Sequence, residues 1–234
     1  MKIKALFISA ILYICTVSAL FAGTTATSGV SCQTIIDRAR VDLNEATASF
    51  WADSDLIQWT DEAVKEIVSK TGCLEETAFT ISLSADTWDY AITPDYLDVV
   101  TVLHDSGDTT SATRLFSLER TDIKSFGHSK ERGRPKSYSV WDDEIVIFPI
   151  PDSTQSGTTL YVYAVSLPSG VTEAASVIET PAYFDPAIVS YVKAKAYQKD
   201  KRESLSGYYL SLFNTMLRDY VANVLGRSPA APAQ

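Results

Sequence analysis

Histidine is the side chain most often used for acid–base catalysis near neutral pH, and this 234-residue sequence contains only two. His104 ends an apolar run, and His128 lies in a polar stretch. Neither histidine is surrounded by residues at the spacing of a catalytic site, such as Cys/His or Ser/His/Asp, or of a metal site. We therefore expect each histidine to have a structural or solvated role.

Carboxylates are the second group that could do chemistry, since two of them across a cleft can act as general acid and general base. The adjacent pairs include Asp142-Asp143 and Glu75-Glu76. Asp142-Asp143 separates two strand-like runs, so we interpret this pair as the residues of a tight turn. The 10 glycines are scattered and form no phosphate-binding loop. The sequence therefore predicts no enzyme, no metal site and no cofactor.

The three cysteines, Cys15, Cys32 and Cys73, are too few and too far apart for a zinc framework. Two interpretations of Cys32 and Cys73 remain open. They form a disulfide if the chain is exported, or they are free buried thiols. We favour free thiols, because an unpaired cysteine behaves as a small hydrophobic residue.

The densest group of positive charge lies between two strand-like runs and consists of Lys130, Arg132, Arg134 and Lys136. Gly133 and Pro135 predict that this segment is a loop that extends away from the fold. Such a loop is either solvated or in contact with an acidic neighbour or passing phosphates. It has no aromatic residues on which bases could stack. The formal net charge of -9 argues further against a protein that grips nucleic acid through its phosphates.

The N-terminus has the pattern of a secretory signal. Lys2 and Lys4 precede an apolar stretch from Ala5 to Ala22, with Val17-Ser18-Ala19 as a candidate cleavage site. There are two alternatives to a signal peptide. The segment is an uncleaved apolar helix packed against a partner, or the start codon is assigned too early. Lipidation is not expected, because bulky Ile14 precedes Cys15. Together with the polar linker that follows, this segment makes up residues 1–31.

Helical periodicity dominates both ends of the remaining chain. The first helix is predicted to end near Asn44, with Ile35, Ile36, Ala39, Val41 and Leu43 as its apolar positions. The second is predicted to begin with a cap at Asp53 or Ser54 and to end at Gly72. Two more helices are predicted from Phe184 to Tyr197, after Pro181, and from Leu205 to Leu225. Trp59 is expected in the core, and Trp51 is expected to staple the second helix at its entry.

The middle of the chain alternates between apolar and polar residues, as strands do. Phe79 to Leu83 and Trp88 to Ile92 are predicted to form a hairpin, and Thr121 to Phe126 a helical turn. The other predicted strands are Leu97 to His104, Ala112 to Leu118, Ser137 to Trp141, Glu144 to Pro149 and Thr159 to Ser166.

This order of elements predicts an α+β fold. A helix bundle formed by residues 32–75 and 171–226 encloses a small antiparallel β-domain, residues 76–170. Residues 227–234 contain two prolines and are expected to form an extended tail.

Two segments near the N-terminus resemble the opening of the head-to-tail adaptor, or connector, proteins of tailed bacteriophages. These proteins begin with a helix ending in Leu-Asn-Asp, an aromatic-Trp-Ser/Thr-Asp cap and a helix with a second Trp. The corresponding segments here are Ile35 to Glu45 and Phe50 to Ala63, and Glu45 replaces the usual Asp. The signature positions in this sequence are Arg38, Leu43, Trp51, Asp53, Leu56 and Trp59.

The resemblance continues in the same order through the chain, over roughly residues 33–225. The family's passage of Pro, strand, turn, strand and Pro-x-Pro is similar to Gly133 to Asp152. A helix start at Pro181 to Asp185 and a tyrosine-rich last helix at Tyr208-Tyr209 follow. Gly72-Cys73 stands where the family commonly has a proline.

The resemblance implies a structural protein of the virion neck, assembled in the host cytoplasm. Copies would form a ring, about a dozen of them, beneath the portal protein and above a downstream tail or nozzle protein. DNA would pass through the lumen without sequence-specific binding, and no membrane partner is expected. The tail residues Arg227, Ser228, Pro229 and Pro232 would dock on the portal.

A different class of function is predicted by the N-terminus alone. Its signal-like pattern favours an exported soluble or surface-associated binding module with a cleaved signal peptide. A periplasmic hydrolase that uses unidentified carboxylates is a third alternative.

Overall fold

The computed structural model describes residues 27–45, 48–93, 95–105, 115–126 and 130–223, with only the backbone for residues 76–78. Four helices occupy the two ends of this range: α1 (Cys32–Leu43), α2 (Asp53–Thr71), α3 (Asp185–Lys199) and α4 (Glu203–Asn223). The strands between them are β1 (Glu75–Ser82), β2 (Asp89–Ala91), β3 (Tyr96–Asp105), β4 (Leu115–Ser117), β5 (Glu119–Arg120), β6 (Ser137–Trp141), β7 (Glu144–Phe148) and β8 (Thr159–Ser166). The predicted α+β fold is confirmed.

Helix α3 is the centre of the bundle, because α1, α2 and α4 all pack against it. Ile188 and Val192 are completely buried, and so are the small residues Ala187 and Ala196, which allow neighbouring helices to approach closely. Pro186 lies in the first turn of this helix, where a proline is tolerated, after a 3₁₀ turn at Ala182–Phe184.

The ends of the first two helices follow from local chemistry. Ser31 caps α1, its hydroxyl accepting a hydrogen bond from the Thr34 amide. Asn44 at the end of α1 and Gly72 at the end of α2 both adopt left-handed backbone conformations. At the start of α2 the sequence-based prediction was wrong. The capping position is Ala52, which offers no side-chain acceptor, and Asp53 is the first residue of the helix.

The β-domain consists of two four-stranded sheets, in the orders β1-β8-β3-β4 and β2-β7-β6-β5. All pairs are antiparallel except β5–β6. A second core, separate from that of the bundle, contains residues from both sheets: Leu83, Ile92, Val99, Val102, Leu118, Tyr138, Ile145, Ile147, Leu160 and Val162. Val165, near the end of β8, belongs to the helical core, so this strand serves both cores.

The predicted hairpin between the first two strands was wrong. Strand β1 pairs with β8 and β2 pairs with β7, so the two strands belong to different sheets. The segment between them is held by distant backbone: the Leu83 amide donates to Thr158 and the Asp86 amide donates to Pro151. Local alternation of side chains does not reveal such distant partners.

The turn at Asp142-Asp143 is confirmed, with φ values of 50° and 60° between β6 and β7. The helical turn predicted at Thr121 to Phe126 is present as a 3₁₀ helix at Ile123–Phe126. Of the strand predicted from Ala112 to Leu118, residues 115–117 form β4, and residues 112–114 lie outside the described range.

Cys32 and Cys73 are free thiols, both buried in the core of the bundle, which confirms the interpretation favoured from sequence. Burial raises the pKa of each thiol, although hydrogen bonds with Thr60 and Thr71 partly oppose that effect. These cysteines therefore act as packing residues and not as thiolate nucleophiles. In the part of the chain described above, no helix combines the length and the apolarity needed to cross a bilayer.

We predict that the same substitution has opposite effects at Gly72 and Gly207. Gly72→Ala lowers the free energy of unfolding by about 1 kcal/mol, because φ is +63° there and an added Cβ meets only Val165 Cγ2 at 3.6 Å. Gly207→Ala raises it by about 0.5–1 kcal/mol, because this residue lies inside α4 with open space around it. Urea denaturation of both variants is the measurement, and the same sign of change in both would contradict this interpretation.

Candidate functional site

The junction between α1 and α2 is built around one carboxylate, that of Glu45. Oε1 of this residue accepts hydrogen bonds from the backbone amides of Ser49, Phe50 and Trp51. Burial opposes ionisation of the carboxyl, but these amides, with the nearby Arg40 guanidinium, outweigh it and hold the pKa of Glu45 below its usual value. Glu45, which replaces the Asp usual in the resembling family, therefore organises the loop that leads into α2.

Arg40 is the second component of the junction and is 5% exposed. Its Nη2 donates to the Trp51 carbonyl at 2.9 Å and to Asp53 Oδ1 at 2.6 Å. Its Nη1 lies 4.0 Å from Glu45 Oε2. One guanidinium thus joins the last turn of α1 to the first residues of α2, which fixes the angle at which the second helix begins.

Trp51 connects this junction to the central helix, α3. Its ring is 8% exposed, and its Nε1 donates to the Ala196 carbonyl of α3 at 3.2 Å. Trp51 and Leu56 occupy the staple positions on either side of the α2 N-terminus and belong to the same hydrophobic core, which supports the entry role predicted for Trp51. Trp59 packs against that core but remains half-buried.

The six signature residues divide into two groups. Leu43, Trp51 and Leu56 are buried in the core of the bundle, and Trp59 covers it. Asp53 and Arg38 form ion pairs instead: Arg38 Nη1 lies 3.5 Å from a carboxylate oxygen of Asp185, the buried first residue of α3.

Asp185 also fixes the segment that precedes α1, because its Oδ1 accepts a hydrogen bond from the Ser28 hydroxyl at 2.7 Å. Backbone hydrogen bonds continue this attachment, from the Ser28 amide to Thr180 and from the Ile178 amide to Val30. The chain ahead of α1 therefore runs along residues 177–181 as a short antiparallel ladder.

The basic segment from Lys130 to Lys136 does not reach away from the fold as predicted. The Gly133 amide donates to the Ile150 carbonyl, and the Lys136 amide donates to the Phe148 carbonyl, so its backbone is attached to the end of β7.

The four cations of this segment differ in environment. The Arg134 guanidinium stacks over the Phe116 ring, 3.3 Å from its centroid. Arg132 forms an exposed ion pair with Asp86, and Lys130 and Lys136 are exposed. Three of the four residues thus face solvent, and Arg134 is used within the β-domain.

His104 is completely buried, as a structural role requires, and its Nε2 lies 2.9 Å from Thr158 Oγ1. The Thr158 hydroxyl donates to the Gln155 carbonyl, so it accepts from His104, which places the imidazole proton on Nε2. Burial, together with the positive charge of Arg134, lowers the pKa of His104 to about 4. The ring is therefore neutral at pH 7. His128 lies outside the described residues.

The candidate carboxylate pairs form no acid–base site in the described structure. Asp142 and Asp143 occupy the exposed tip of the β6–β7 hairpin, and the Glu76 side chain is outside the described residues. Within the described ranges, no cluster of three or more His, Cys, Asp or Glu is placed to hold a metal ion. Both the tail residues Arg227, Ser228, Pro229 and Pro232 and the apolar stretch from Ala5 to Ala22 lie outside the described residues.

The order of elements and the α1–α2 junction agree with a match found by comparison with protein families. A family model described as SU10 adaptor protein matches residues 30–233, which include all four helices and all eight strands described above. The chain belongs to the SU10 adaptor protein family. None of the curated proteins matches it at a significant level.

Family membership gives the chain the role of a phage head-to-tail adaptor, a structural protein of the virion at the junction of head and tail. An adaptor of this kind interacts with portal and tail proteins. Most of the signature segment is then the scaffold of the bundle, because three of its six residues are buried in the core and Trp59 covers it.

Sequence reasoning missed Arg40, the residue that connects the signature positions. Its signal was present, since Arg40 lies four residues after Ile36 and one after Ala39, on the side of α1 that the apolar residues share. A charged residue on a buried helix face requires a partner, and the nearby carboxylates were Glu45 and Asp53.

We predict that Arg40→Met lowers the free energy of unfolding by about 2–3 kcal/mol, because it leaves the buried Trp51 carbonyl without its donor and the Glu45 carboxylate without its neighbouring cation. Arg132→Met is the matched control. The Arg132–Asp86 ion pair has the same 2.6 Å N···O distance as the Arg40–Asp53 pair. However, the Arg132 and Asp86 side chains are both more than 60% exposed, whereas the Arg40 side chain is 6% exposed. This control should change stability by less than about 1 kcal/mol. Equal losses in denaturant titrations of the two variants would refute the anchoring role of Arg40.

Proposed function

We propose that this adaptor forms a ring beneath the portal of a tailed phage, extends the DNA channel and joins the portal to the next tail or nozzle protein. The observation that carries the proposal is the family match over residues 30–233, a range that includes every described helix and strand. The ring follows from the role, because an adaptor that prolongs a channel has to surround it, and identical copies do so through cyclic symmetry. About a dozen copies, the number implied by the resemblance, fits this arrangement.

The acidic balance of the chain supports a passage for DNA that does not retain it. The formal net charge of -9 makes the average surface repel phosphates. We infer that the genome slides past this protein during packaging and ejection without sequence-specific contact. The exposed residues Lys130, Arg132 and Lys136 form a local positive patch on this acidic chain. We assign this patch to contact with an acidic protein neighbour.

We assign portal attachment to the C-terminal tail, residues 227–234. It follows helix α4, whose last residue is exposed, and we expect its two prolines to favour an extended chain. Repetition of the same contact around a ring strengthens the attachment of such a short segment beyond the affinity of one copy. Assembly of this kind takes place in the host cytoplasm, where portal and adaptor meet.

Deletion of Arg227 to Gln234 is expected to abolish capture of the adaptor by purified portal protein and to leave its thermal unfolding unchanged. The matched control replaces the same eight residues with a Gly/Ser sequence of equal length, which tests whether composition or mere length is required. The measurement is co-sedimentation of adaptor and portal. Normal capture of the truncated protein would refute the docking role of the tail. Loss of the first twenty-odd residues and secretion of a monomer would instead favour the exported binding module.

A further inference from the structure

An open apolar groove of about 550 Å³ runs along the surface of the helix bundle. Val41 of α1, Val189 of α3, and Leu212 and Met216 of α4 line it, so three helices contribute. Val41 is 77% exposed, the largest exposed fraction among the exposed large hydrophobic residues of the described chain. The sequence pattern had placed Val41 with the core residues of α1. Its exposure means that the bundle presents an apolar surface to which none of the described residues is packed.

The rim of this groove is more basic than acidic. Arg38 lies at one side with a side chain 51% exposed. Lys193 lies within the groove, with Nζ 2.8 Å from Asp42 and 4.0 Å from the centroid of the Tyr209 ring. Two cations and one carboxylate therefore line the groove. Lys193 is buried and paired with Asp42, so Arg38, which also lies near Asp185, is the cation that an acidic edge of a partner can reach.

A protrusion with the complementary properties lies at the end of the β-domain. Trp141, the last residue of β6, is 62% exposed, and Asp142 and Asp143 continue the chain as the exposed turn. The backbone of this tip is held by pairing of Trp141 with Glu144 and of Val140 with Ile145. The result is a large aromatic side chain on a short hairpin, flanked by carboxylates.

We propose that the hairpin tip of one copy, with Trp141 at its centre, inserts into the groove of the next copy. The inference rests on the proposed ring and specifies its contact. Because the groove is formed by helices alone and the tip by strands alone, the contact joins two different surfaces, as a cyclic ring of more than two copies requires. An aromatic anchor enters an apolar groove, which is typical of interface hot spots, while Asp142 and Asp143 approach the exposed Arg38.

The first test is the substitution Trp141→Ser in the full chain, with Trp88→Ser as the matched control. Trp88 is also in the β-domain and is 45% exposed, and only its backbone carbonyl takes part in the sheet, as acceptor for the Ile147 amide. Trp141→Ser should weaken self-association about tenfold or more, measured by sedimentation equilibrium, and Trp88→Ser should change it less than about twofold. Both substitutions are at exposed positions, and unchanged thermal unfolding verifies the fold.

The second test uses the two different surfaces directly. Val41→Glu places a carboxylate in the groove, where it repels Asp142 and Asp143, and Val177→Glu is the control at another exposed valine. Neither Val41→Glu nor Trp141→Ser alone should assemble. Mixed in equal amounts they should form a dimer and nothing larger, since only one intact tip and one intact groove can meet.

Three outcomes would overturn the inference. They are unchanged assembly of Trp141→Ser, a mixture that yields no dimer, and a wild-type chain that stays monomeric up to millimolar concentration. None of these would refute the adaptor role, because capture by portal protein is a separate measurement. Loss of portal capture in a chain that still assembles through Trp141 would contradict the proposed function and leave this contact intact.

Discussion

Packing of α3 against three other helices is the constraint from which the arrangement of the chain follows. A helix with Ile188, Val192, Ala187 and Ala196 all fully buried needs neighbours around it, and α4 alone cannot cover it. The remaining cover comes from α1 and α2, which lie more than a hundred residues earlier in the sequence. The β-domain is therefore an insertion between two halves of one bundle, and both halves must meet before α3 is stable.

The Arg40 junction makes this long-range closure specific. A turn between two helices can vary in angle, and each angle would present a different face of α2 to α3. Glu45 organises the loop, Arg40 connects its two ends, and the Trp51 indole binds the α3 backbone at Ala196. The three contacts together allow one orientation. A unit that is already rigid loses little entropy when it assembles, which suits a subunit of the proposed ring.

Much of the fold could be predicted because its signals are local. The apolar stripe of α2, its glycine stop at Gly72 and the turn at Asp142-Asp143 depend on residues within one or two turns of each other. The pairing of β1 with β8 could not be predicted, because the choice of a strand partner depends on contacts some eighty residues away.

Charged residues and single apolar positions were the other source of error. Asp53 resembles a helix cap in sequence but binds Arg40, since a buried guanidinium competes for the same carboxylate. Val41 fits the apolar pattern of α1, yet its side chain lies in an open groove. A pattern shows which residues avoid water, and it does not show whether the cover comes from the same copy or another.

The central claim is that this chain is a structural subunit that acts as a ring at the head-to-tail junction. The most direct test is native mass spectrometry of the adaptor purified together with portal protein. The account predicts one dominant complex in which the adaptor mass is a fixed integer multiple of the 25.6 kDa chain, with a copy number matching the symmetry of the portal. A processed monomer that does not bind the portal would contradict it.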